Sequence, residues 1–302
     1  MLVGPSGSGK SSYARESKAI VHSSDAIRNE LYGDESVQQD HERVFNLLHS
    51  RVRKDLLEGR DVIYDATNLN RKRRIAFLNS IKNIPCFKEC IIFVQPIEEL
   101  IKNDEQRERT VGKDVIMKQL KQFQPPYYDE GWEYIDIYRD TSRSEYIDQV
   151  FEQAKSFNQW NPHHHLTVYW HCSEVHTKIC EYTRTLKLGL LHDLGKLFTQ
   201  TFSADGIAHY YGHENVSAYL SYLYQDSSLY HHKDDYIQRA YIISLHMRHY
   251  SYTDQDSYEK WFHTLPFIIQ KDLYILTCAD NEDKEWLKLV TPKLAIPIFD
   301  FN

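Results

Sequence analysis

The sequence lacks the features that mark membrane proteins, secreted proteins and proteins with thiol-bound metals. No apolar run approaches the ~20 residues that span a bilayer, and no signal-peptide pattern precedes the first glycine-rich segment. The five cysteines include no C-x-x-C pair. We therefore expect a cytoplasmic protein with reduced thiols, no membrane partner and no cysteine-based zinc site.

The chain also lacks an excess of positive charge. Lysine and arginine total 36 against 43 aspartates and glutamates, which gives a formal net charge of −7. This argues against broad electrostatic binding to nucleic acid, although a local basic groove at residues 71–74 and 107–109 is compatible with it. Most of the 16 histidines lie from residue 163 onward, which indicates a second domain, and 302 residues suffice for two cores.

A glycine-rich loop lies at the start of the chain. Residues 4–11 read G-P-S-G-S-G-K-S and fit G-x-x-x-x-G-K-[ST] at every fixed position. In such loops backbone N–H groups face a polyphosphate, the lysine neutralises the β and γ oxygens, and the last hydroxyl binds Mg²⁺. The pattern predicts ATP or another nucleoside triphosphate with Mg²⁺, bound by Gly4, Ser6, Gly7, Ser8, Gly9, Lys10, Ser11 and Ser12.

Strand-like and helix-like segments alternate through the first half. Residues 19–22, 61–65 and 90–94 predict strands, whereas 44–57 and 71–81 predict helices. This alternation predicts a parallel, doubly wound sheet with its ligands at the carboxyl ends of the strands. Only three residues precede Gly4, so either the first strand is short or the natural chain begins earlier.

The second half has a different texture. From about Phe157 few strand-like runs occur and helical segments dominate. We therefore expect an α/β domain over residues 1–152, followed by an all-helical domain over residues 153–302.

An acid and a base follow the second predicted strand. Asp25 and Arg28 lie three residues apart on one side of a helix start, although Ser24 or Asp25 as a simple helix cap is the alternative. The phosphate loop followed by Asp-x-x-Arg resembles the 5′-hydroxyl polynucleotide kinases. This resemblance implies that Asp25 accepts the proton of the attacking 5′-hydroxyl and that Arg28 grips a phosphate of the acceptor strand. Asp65 either holds Mg²⁺ through water or belongs to a plain turn.

The segment from Asn103 to Trp132 resembles the helical lid of the same kinase family. The resemblance implies that Arg107 and Arg109 close over the phosphates and stabilise charge on the transferred group. Two arginines on a solvated helix face are the alternative interpretation.

Histidines and aspartates form an H…HD…H…H…D series in the second half. Their nitrogen and oxygen ligands suit Mn²⁺, Fe²⁺, Co²⁺, Ni²⁺ or Zn²⁺. Residues 190–196 read L-L-H-D-L-G-K and resemble the HD phosphohydrolase superfamily. The resemblance implies one metal on His171, His192, Asp193 and Asp280, and a second metal on His213 and His246 that Asp193 bridges. Lys196 either meets a substrate phosphate or is a solvated helix end.

The combination resembles end-healing enzymes that join a polynucleotide kinase to an HD phosphoesterase. It implies NTP-dependent phosphorylation of 5′-OH ends of RNA or DNA, with tRNA as one candidate, and metal-dependent removal of 2′,3′-cyclic, 2′- or 3′-phosphate. The lead-in at residues 161–165 resembles HD domains attached to bacterial tRNA nucleotidyltransferases. A separate ligase would act afterwards, and a homo-oligomer is compatible with the sequence. The alternatives are a nucleoside or metabolite kinase fused to a nucleotide phosphohydrolase, and an ATP-gated phosphohydrolase.

Overall fold

The computed structural model describes residues 1–37, 39–139, 145–161, 165–183, 186–225 and 232–281. The chain divides into one unit of residues 1–119 and 126–140 and another of residues 120–125 and 141–302. The predicted boundary after residue 152 falls inside the helix Tyr146–Ser156. This helix packs against the helix Val168–Ile179 of the second unit. The change in texture near Phe157 thus marks a loop between two packed helices.

A five-stranded parallel sheet forms the centre of the first unit. Its strands are β1 (Leu2–Val3), β2 (Ile20–Ser23), β3 (Val62–Asp65), β4 (Glu89–Val94) and β5 (Tyr134–Arg139), in the spatial order β2-β3-β1-β4-β5. All neighbouring pairs are parallel, which confirms the predicted sheet. The short β1 is central, because it pairs with β3 on one side and β4 on the other.

Helices cover both faces of this sheet, as the strand–helix alternation predicts. They are α1 (Lys10–Glu16), α2 (Ser24–Tyr32), α3 (His41–Leu57), α4 (Arg71–Ser80), α5 (Ile97–Glu105) and α6 (Lys113–Lys121), with a 3-10 turn at Tyr128–Glu130. In α3 the buried residues Val44, Leu48 and Val52 recur every four residues and give the helix one apolar face.

The edge strand β5 was not predicted from the sequence. Its residues read Y-I-D-I-Y-R, and only Ile135 is fully buried. An edge strand is half solvated, so its sequence alternates between apolar and polar residues and carries a weaker signal than the buried β4.

The second unit is built from helices. They are α7 (Tyr146–Ser156), α8 (Val168–Ile179), α9 (Leu188–Leu191), α10 (Lys196–Thr199), α11 (His213–Ser221), α12 (Lys233–Leu245), α13 (Gln255–Phe262) and α14 (Phe267–Asp280), with a 3-10 turn at Arg248–Ser251. The all-helical prediction needs one correction, because β6 (Thr201–Phe202) and β7 (Ala208–His209) form an antiparallel hairpin. Two-residue strands leave no periodic pattern to detect. Among the described residues no helix is both long and apolar enough to cross a membrane.

Candidate functional site

The phosphate loop connects β1 to α1 and depends on glycine at two positions. Gly7 has a φ of +79°, and a Cβ there would lie 2.2 Å from the carbonyl oxygen of Leu100. Gly9 has a φ of +94° and precedes the first residue of α1, Lys10. Side chains rarely adopt this left-handed conformation, so the loop requires both glycines to turn its backbone.

Lys10 is buried and folds back over its own loop. Its Nζ donates to the carbonyl oxygen of Pro5 at 2.7 Å and to Ser8 Oγ at 3.2 Å. Burial lowers the pKa of Lys10 to about 8, against the opposing effect of the nearby Asp65 carboxylate. The ammonium is held where the loop turns, and phosphate oxygens can replace its two internal acceptors.

A hydroxyl and a carboxylate meet beside the loop. Ser11 Oγ donates to Asp65 Oδ2 at 3.1 Å. Burial raises the pKa of Asp65, while Lys10 and Ser11 oppose this shift. A serine of the loop and an aspartate at the end of the adjacent strand are the groups that hold Mg²⁺ in phosphate-loop enzymes. Asp65 is the last residue of β3 and therefore precedes the turn. The helix after that turn, α4, is capped by Asn70.

Asp25 and Arg28 form an ion pair at the start of α2. Asp25 Oδ1 lies 2.6 Å from Arg28 Nη1. Ser23 caps the helix by accepting the Asp25 N–H, so capping does not explain the Asp25 carboxylate. The Asp25 side chain is 46% exposed, and its charge acts on both Lys10 and Asp65. The pair therefore lies near the phosphate loop, and the buried Nε of Arg28 has no hydrogen-bond partner among the residues that the structure describes.

The two arginines after α5 have different surroundings. The charge of Arg107 lowers the pKa of both Lys10 and Asp65, and its Nη1 lies 3.7 Å from Asp104 Oδ1. Arg109 instead pairs with Glu35, with 3.1 Å between Nη1 and Oε1. The sequence could not separate these two side chains, whereas in the structure the charge of Arg107 acts on Lys10 and Arg109 is held by Glu35.

The end of the predicted lid segment has a structural role instead. Glu130 and Arg74 are both buried and bond through two pairs of atoms at 2.6 and 2.8 Å. Trp132 donates to Glu130 at 3.0 Å, and Arg74 also donates to the carbonyl oxygen of Asn68 at 2.9 Å. Glu130 and Trp132 thus brace the turn that follows β3, which removes them from the lid.

Sequence reasoning missed two side chains that hold the phosphate loop. Gln119 of α6 accepts the Ser6 N–H at 2.7 Å and donates to Ser6 Oγ at 3.1 Å. Asn103 of α5 donates to the carbonyl oxygen of Gly7 at 2.9 Å. Only their position in the segment that resembled a lid hinted at a role, because amide side chains have no fixed spacing from a phosphate loop.

In the second unit, four predicted metal ligands surround one point. His171 Nε2 lies 3.0 Å from Asp280 Oδ1 and 3.3 Å from Asp193 Oδ2. His192 Nε2 lies 3.3 and 3.4 Å from the same two oxygens. The four ligand atoms lie within 4.8 Å of one another, although they come from α8, the turn after α9 and the end of α14.

A second set shares Asp193 through its other oxygen. His213 Nε2 lies 3.0 Å from Asp193 Oδ1, and His246 Nε2 lies 3.7 Å from it. The ligand atoms of these three residues also lie within 4.8 Å of one another, close enough to hold one metal ion. Asp193 therefore stands between the two sets, as a carboxylate that bridges two metals does.

The hydrogen bonds of three histidines fix which nitrogen faces the cluster. The Nδ1 atoms of His192, His213 and His246 lie 2.7–2.9 Å from backbone carbonyl oxygens. A carbonyl only accepts, so each Nδ1 carries a proton, and Nε2 is the nitrogen of each ring that faces the carboxylates and could bind an ion. Among the described residues, no atom makes a well-aligned hydrogen bond to any of these three buried Nε2 atoms, although carboxylate oxygens lie 3.0–3.7 Å from them. Burial also lowers the pKa of His246. The carboxylates of Asp193 and Asp280 outweigh burial and raise the pKa of His192, so a metal ion bound there would displace a proton. Imidazoles oriented by their second nitrogen fit a divalent transition metal.

Lys196 belongs to the cluster, which excludes a solvated helix end. It is 5% exposed, and its Nζ lies 2.7 Å from Asp193 Oδ2 and 2.8 Å from Gln159 Oε1. Burial opposes its charge, but the Asp193 carboxylate outweighs burial and raises the pKa of Lys196. The sequence did not indicate a role for Gln159, because the segment that resembles other HD domains covers only the nearby residues 161–165. Residues 162–164 of that lead-in lie outside the described residues.

Comparison with known proteins covers the first half of the chain. The family model described as an AAA domain matches residues 1–126, and this range includes the phosphate loop, Asp25, Asp65 and both arginines. Among curated proteins, none matches this chain. The first unit is accordingly a nucleotide-binding domain of the phosphate-loop kinase and NTPase class. The interpretation of the second unit depends on its own geometry.

Proposed function

We propose that the chain is a bifunctional enzyme that heals broken nucleic-acid ends, with RNA as the main substrate. The first unit phosphorylates 5′-OH ends, and the second removes a 2′,3′-cyclic, 2′- or 3′-phosphate. The observation that carries this proposal is that one chain holds two separate groups of residues suited to phosphate chemistry. One is a phosphate loop with a carboxylate beside it, and the other is a histidine–aspartate cluster whose ring nitrogens face its carboxylates.

Asp25 supports transfer to a hydroxyl group. Its half-exposed carboxylate can take the hydroxyl proton while the 5′ oxygen bonds to the γ-phosphorus and the bond to the β,γ-bridging oxygen breaks. Arg28 orients Asp25 at 2.6 Å, and its guanidinium adds positive charge for an acceptor phosphate. Lys10 exchanges its loop acceptors for phosphate oxygens, and Arg107 adds positive charge. Ser11 and Asp65 would hold Mg²⁺.

The cluster around Asp193 supports phosphoester hydrolysis. Bound divalent ions would activate a water molecule and stabilise the leaving oxygen. The histidines hold their Nε2 atoms toward the centre because backbone carbonyls bind their Nδ1 atoms. Lys196 keeps Asp193 ionised and fixes its orientation, so that both carboxylate oxygens remain directed at the two ligand sets.

The two activities are tested on one RNA oligonucleotide with a 5′-OH and a 2′,3′-cyclic phosphate. Transfer of labelled γ-phosphate and opening or removal of the terminal phosphate are measured separately, with Mg²⁺ and with Mn²⁺ or Ni²⁺. We expect Asp25→Ala to lose only labelling and Asp193→Ala to lose only 3′-end processing. Labelling of free nucleosides but of no oligonucleotide by the wild type would contradict the proposal and support a small-molecule kinase.

Each of these variants has a matched control. Glu30 lies on the same helix as Asp25, is 53% exposed and pairs with Arg51 at 2.6 Å, so Glu30→Ala removes a comparable ion pair away from the loop. Asp272 is buried on α14 and bonds to Gln238 at 2.8 Å, so Asp272→Ala reports on the loss of a buried acid alone. Both controls should retain both activities.

A further inference from the structure

Two exposed aromatic rings lie next to residues that contact Lys196. Trp160 is 61% exposed and directly follows Gln159, whose side chain binds Lys196. Tyr211 is 74% exposed and directly follows Tyr210, whose ring centre lies 5.5 Å from the Lys196 ammonium. Tyr211 also precedes the candidate ligand His213 by two residues. Burial of apolar surface explains neither ring, because both face solvent.

The backbone at Trp160 is held in a conformation that costs free energy. Its φ of +43° is left-handed, which is an outlier for a bulky side chain. Asn158 Oδ1 accepts the Trp160 N–H at 2.9 Å, and the Trp160 carbonyl accepts the Ala208 N–H at 2.9 Å. Asn161 adds a bond to the Ala208 carbonyl at 3.2 Å. The surrounding structure thus fixes an exposed tryptophan where glycine or asparagine would fit more easily.

Tyr211 is also fixed in orientation. Its ring lies parallel to that of His209, with 5.5 Å between centres and 6° between planes. The neighbouring Tyr210 hydroxyl donates to the Gln159 carbonyl and accepts from Gln200 at 2.9 Å. The segment with Trp160 and the segment with Tyr211 are therefore joined by hydrogen bonds beside the cluster.

We infer that Trp160 and Tyr211 form a stacking platform for the unpaired bases at the 3′ end of an RNA strand. The inference rests on the proposed function, because it assumes that the terminal phosphate of that strand lies at the Asp193 cluster. Aromatic rings bind every base through its flat face. The net charge of −7 offers little general attraction for a polyanion, so stacking has to supply much of the affinity and would make it tolerant of sequence.

The test is the dissociation constant of a fluorescein-labelled single-stranded RNA with a 3′-phosphate, measured by fluorescence anisotropy on the full chain. We expect Trp160→Ala and Tyr211→Ala each to weaken binding about tenfold, and Trp160→Phe to restore most of it. On the same RNA with abasic residues at its last two positions, wild type and alanine variants should bind alike. The abasic probe separates stacking from a general loss of folded protein.

Phe267→Ala is the matched control. Phe267 is 39% exposed and begins α14, about 20 Å along the helix from Asp280 at its other end. Equal binding of the base-containing RNA by wild type, Trp160→Ala and Tyr211→Ala would overturn the inference, as would wild type that does not bind RNA at all. Release of the 3′-phosphate is scored separately. Wild type that binds through the rings but releases no phosphate with any metal contradicts the proposed function alone.

Discussion

The phosphate loop and the histidine–aspartate cluster are built in opposite ways. The loop uses eight consecutive residues, and its lysine is already satisfied by Pro5 and Ser8. The cluster draws its ligands from residues between 171 and 280, and in the described part of the chain three of its ring nitrogens have no well-aligned hydrogen bond. The loop lysine therefore has internal hydrogen bonds to exchange for phosphate oxygens, whereas the buried nitrogens and carboxylates of the cluster are grouped as ligands that could hold an ion.

This difference predicts different responses to ligand removal. A nucleotide would exchange existing internal hydrogen bonds for new ones, so its loss should change the free energy of unfolding modestly. A metal would bind the ring nitrogens that face the cluster. Its positive charge would also offset the repulsion between the carboxylates of Asp193 and Asp280. We expect chelation to destabilise the second unit more than nucleotide removal destabilises the first.

The largest effect is expected from loss of the carboxylate shared by both ligand sets. Asp193→Ala should reduce metal-dependent phosphoester hydrolysis more than about 100-fold and lower the metal content measured by mass spectrometry. Phosphoryl transfer should remain at the wild-type level. Asp272→Ala controls for the removal of a buried acid. Normal metal content in Asp193→Ala would show that the cluster is not a metal site.

The next comparison separates the two arginines of the first unit. Arg107 acts on Lys10 and Asp65, whereas Arg109 pairs with Glu35. Arg107→Ala should lower kcat for phosphoryl transfer about 100-fold, and Arg109→Ala should change it less than about threefold, because an exposed ion pair contributes little. Equal losses in the two variants would contradict this assignment.

A smaller effect is expected from pH. Burial lowers the folded-state pKa of Lys10 to about 8 from its ordinary 10.5, so between these values the unfolded chain binds more protons and the free energy of unfolding rises with pH. Below pH 8 Lys10 is charged in both the folded and the unfolded chain, so the full cost of burying its charge lowers the free energy of unfolding. Nucleotide affinity should run the other way and fall up to tenfold per pH unit above 8, measured with a non-hydrolysable analogue. Lys10→Arg, which stays charged, should lose this dependence.

The smallest effect concerns the brace on the phosphate loop. Gln119→Ala removes two hydrogen bonds to Ser6, each contributing about 1 kcal/mol. The KM for the nucleotide should rise several-fold with little change in kcat, since the side chain holds the loop and does not touch the transferred group. Gln122→Ala, three residues along the chain, is the control. A loss in kcat alone would instead place Gln119 at the reaction centre.

The phosphate loop was easier to predict from the sequence than the histidine–aspartate cluster, because the loop is contiguous and the cluster is dispersed. The loop could be identified because neighbouring residues form it, and local glycines determine its backbone. The cluster residues could be named only through a resemblance, although the structure does bring them together. The partners of Gln119 and Gln159 could not be predicted, because each side chain bonds to a residue more than 30 positions away.

The secondary structure was likewise predicted only where neighbouring residues form a clear local pattern. Buried strands such as β4 gave continuous apolar runs and were predicted, whereas the half-exposed β5 and the β6–β7 hairpin were not. The predicted boundary at 152 lies inside α7, which packs on α8, and grouping the chain by its contacts assigns residues 120–125 and 141–302 to the second unit. Which contacts a helix makes depends on distant residues, and its own periodicity does not reveal them.

The most direct test follows both ends of one RNA in a single reaction. An oligonucleotide with a 5′-OH and a 2′,3′-cyclic phosphate is incubated with ATP, Mg²⁺ and Mn²⁺, and its products are resolved by mass spectrometry. The account predicts a 5′-phosphate together with a 3′ end freed of its cyclic phosphate, one change lost in Asp25→Ala and the other in Asp193→Ala. An RNA left unchanged at both ends by the wild-type protein would contradict it.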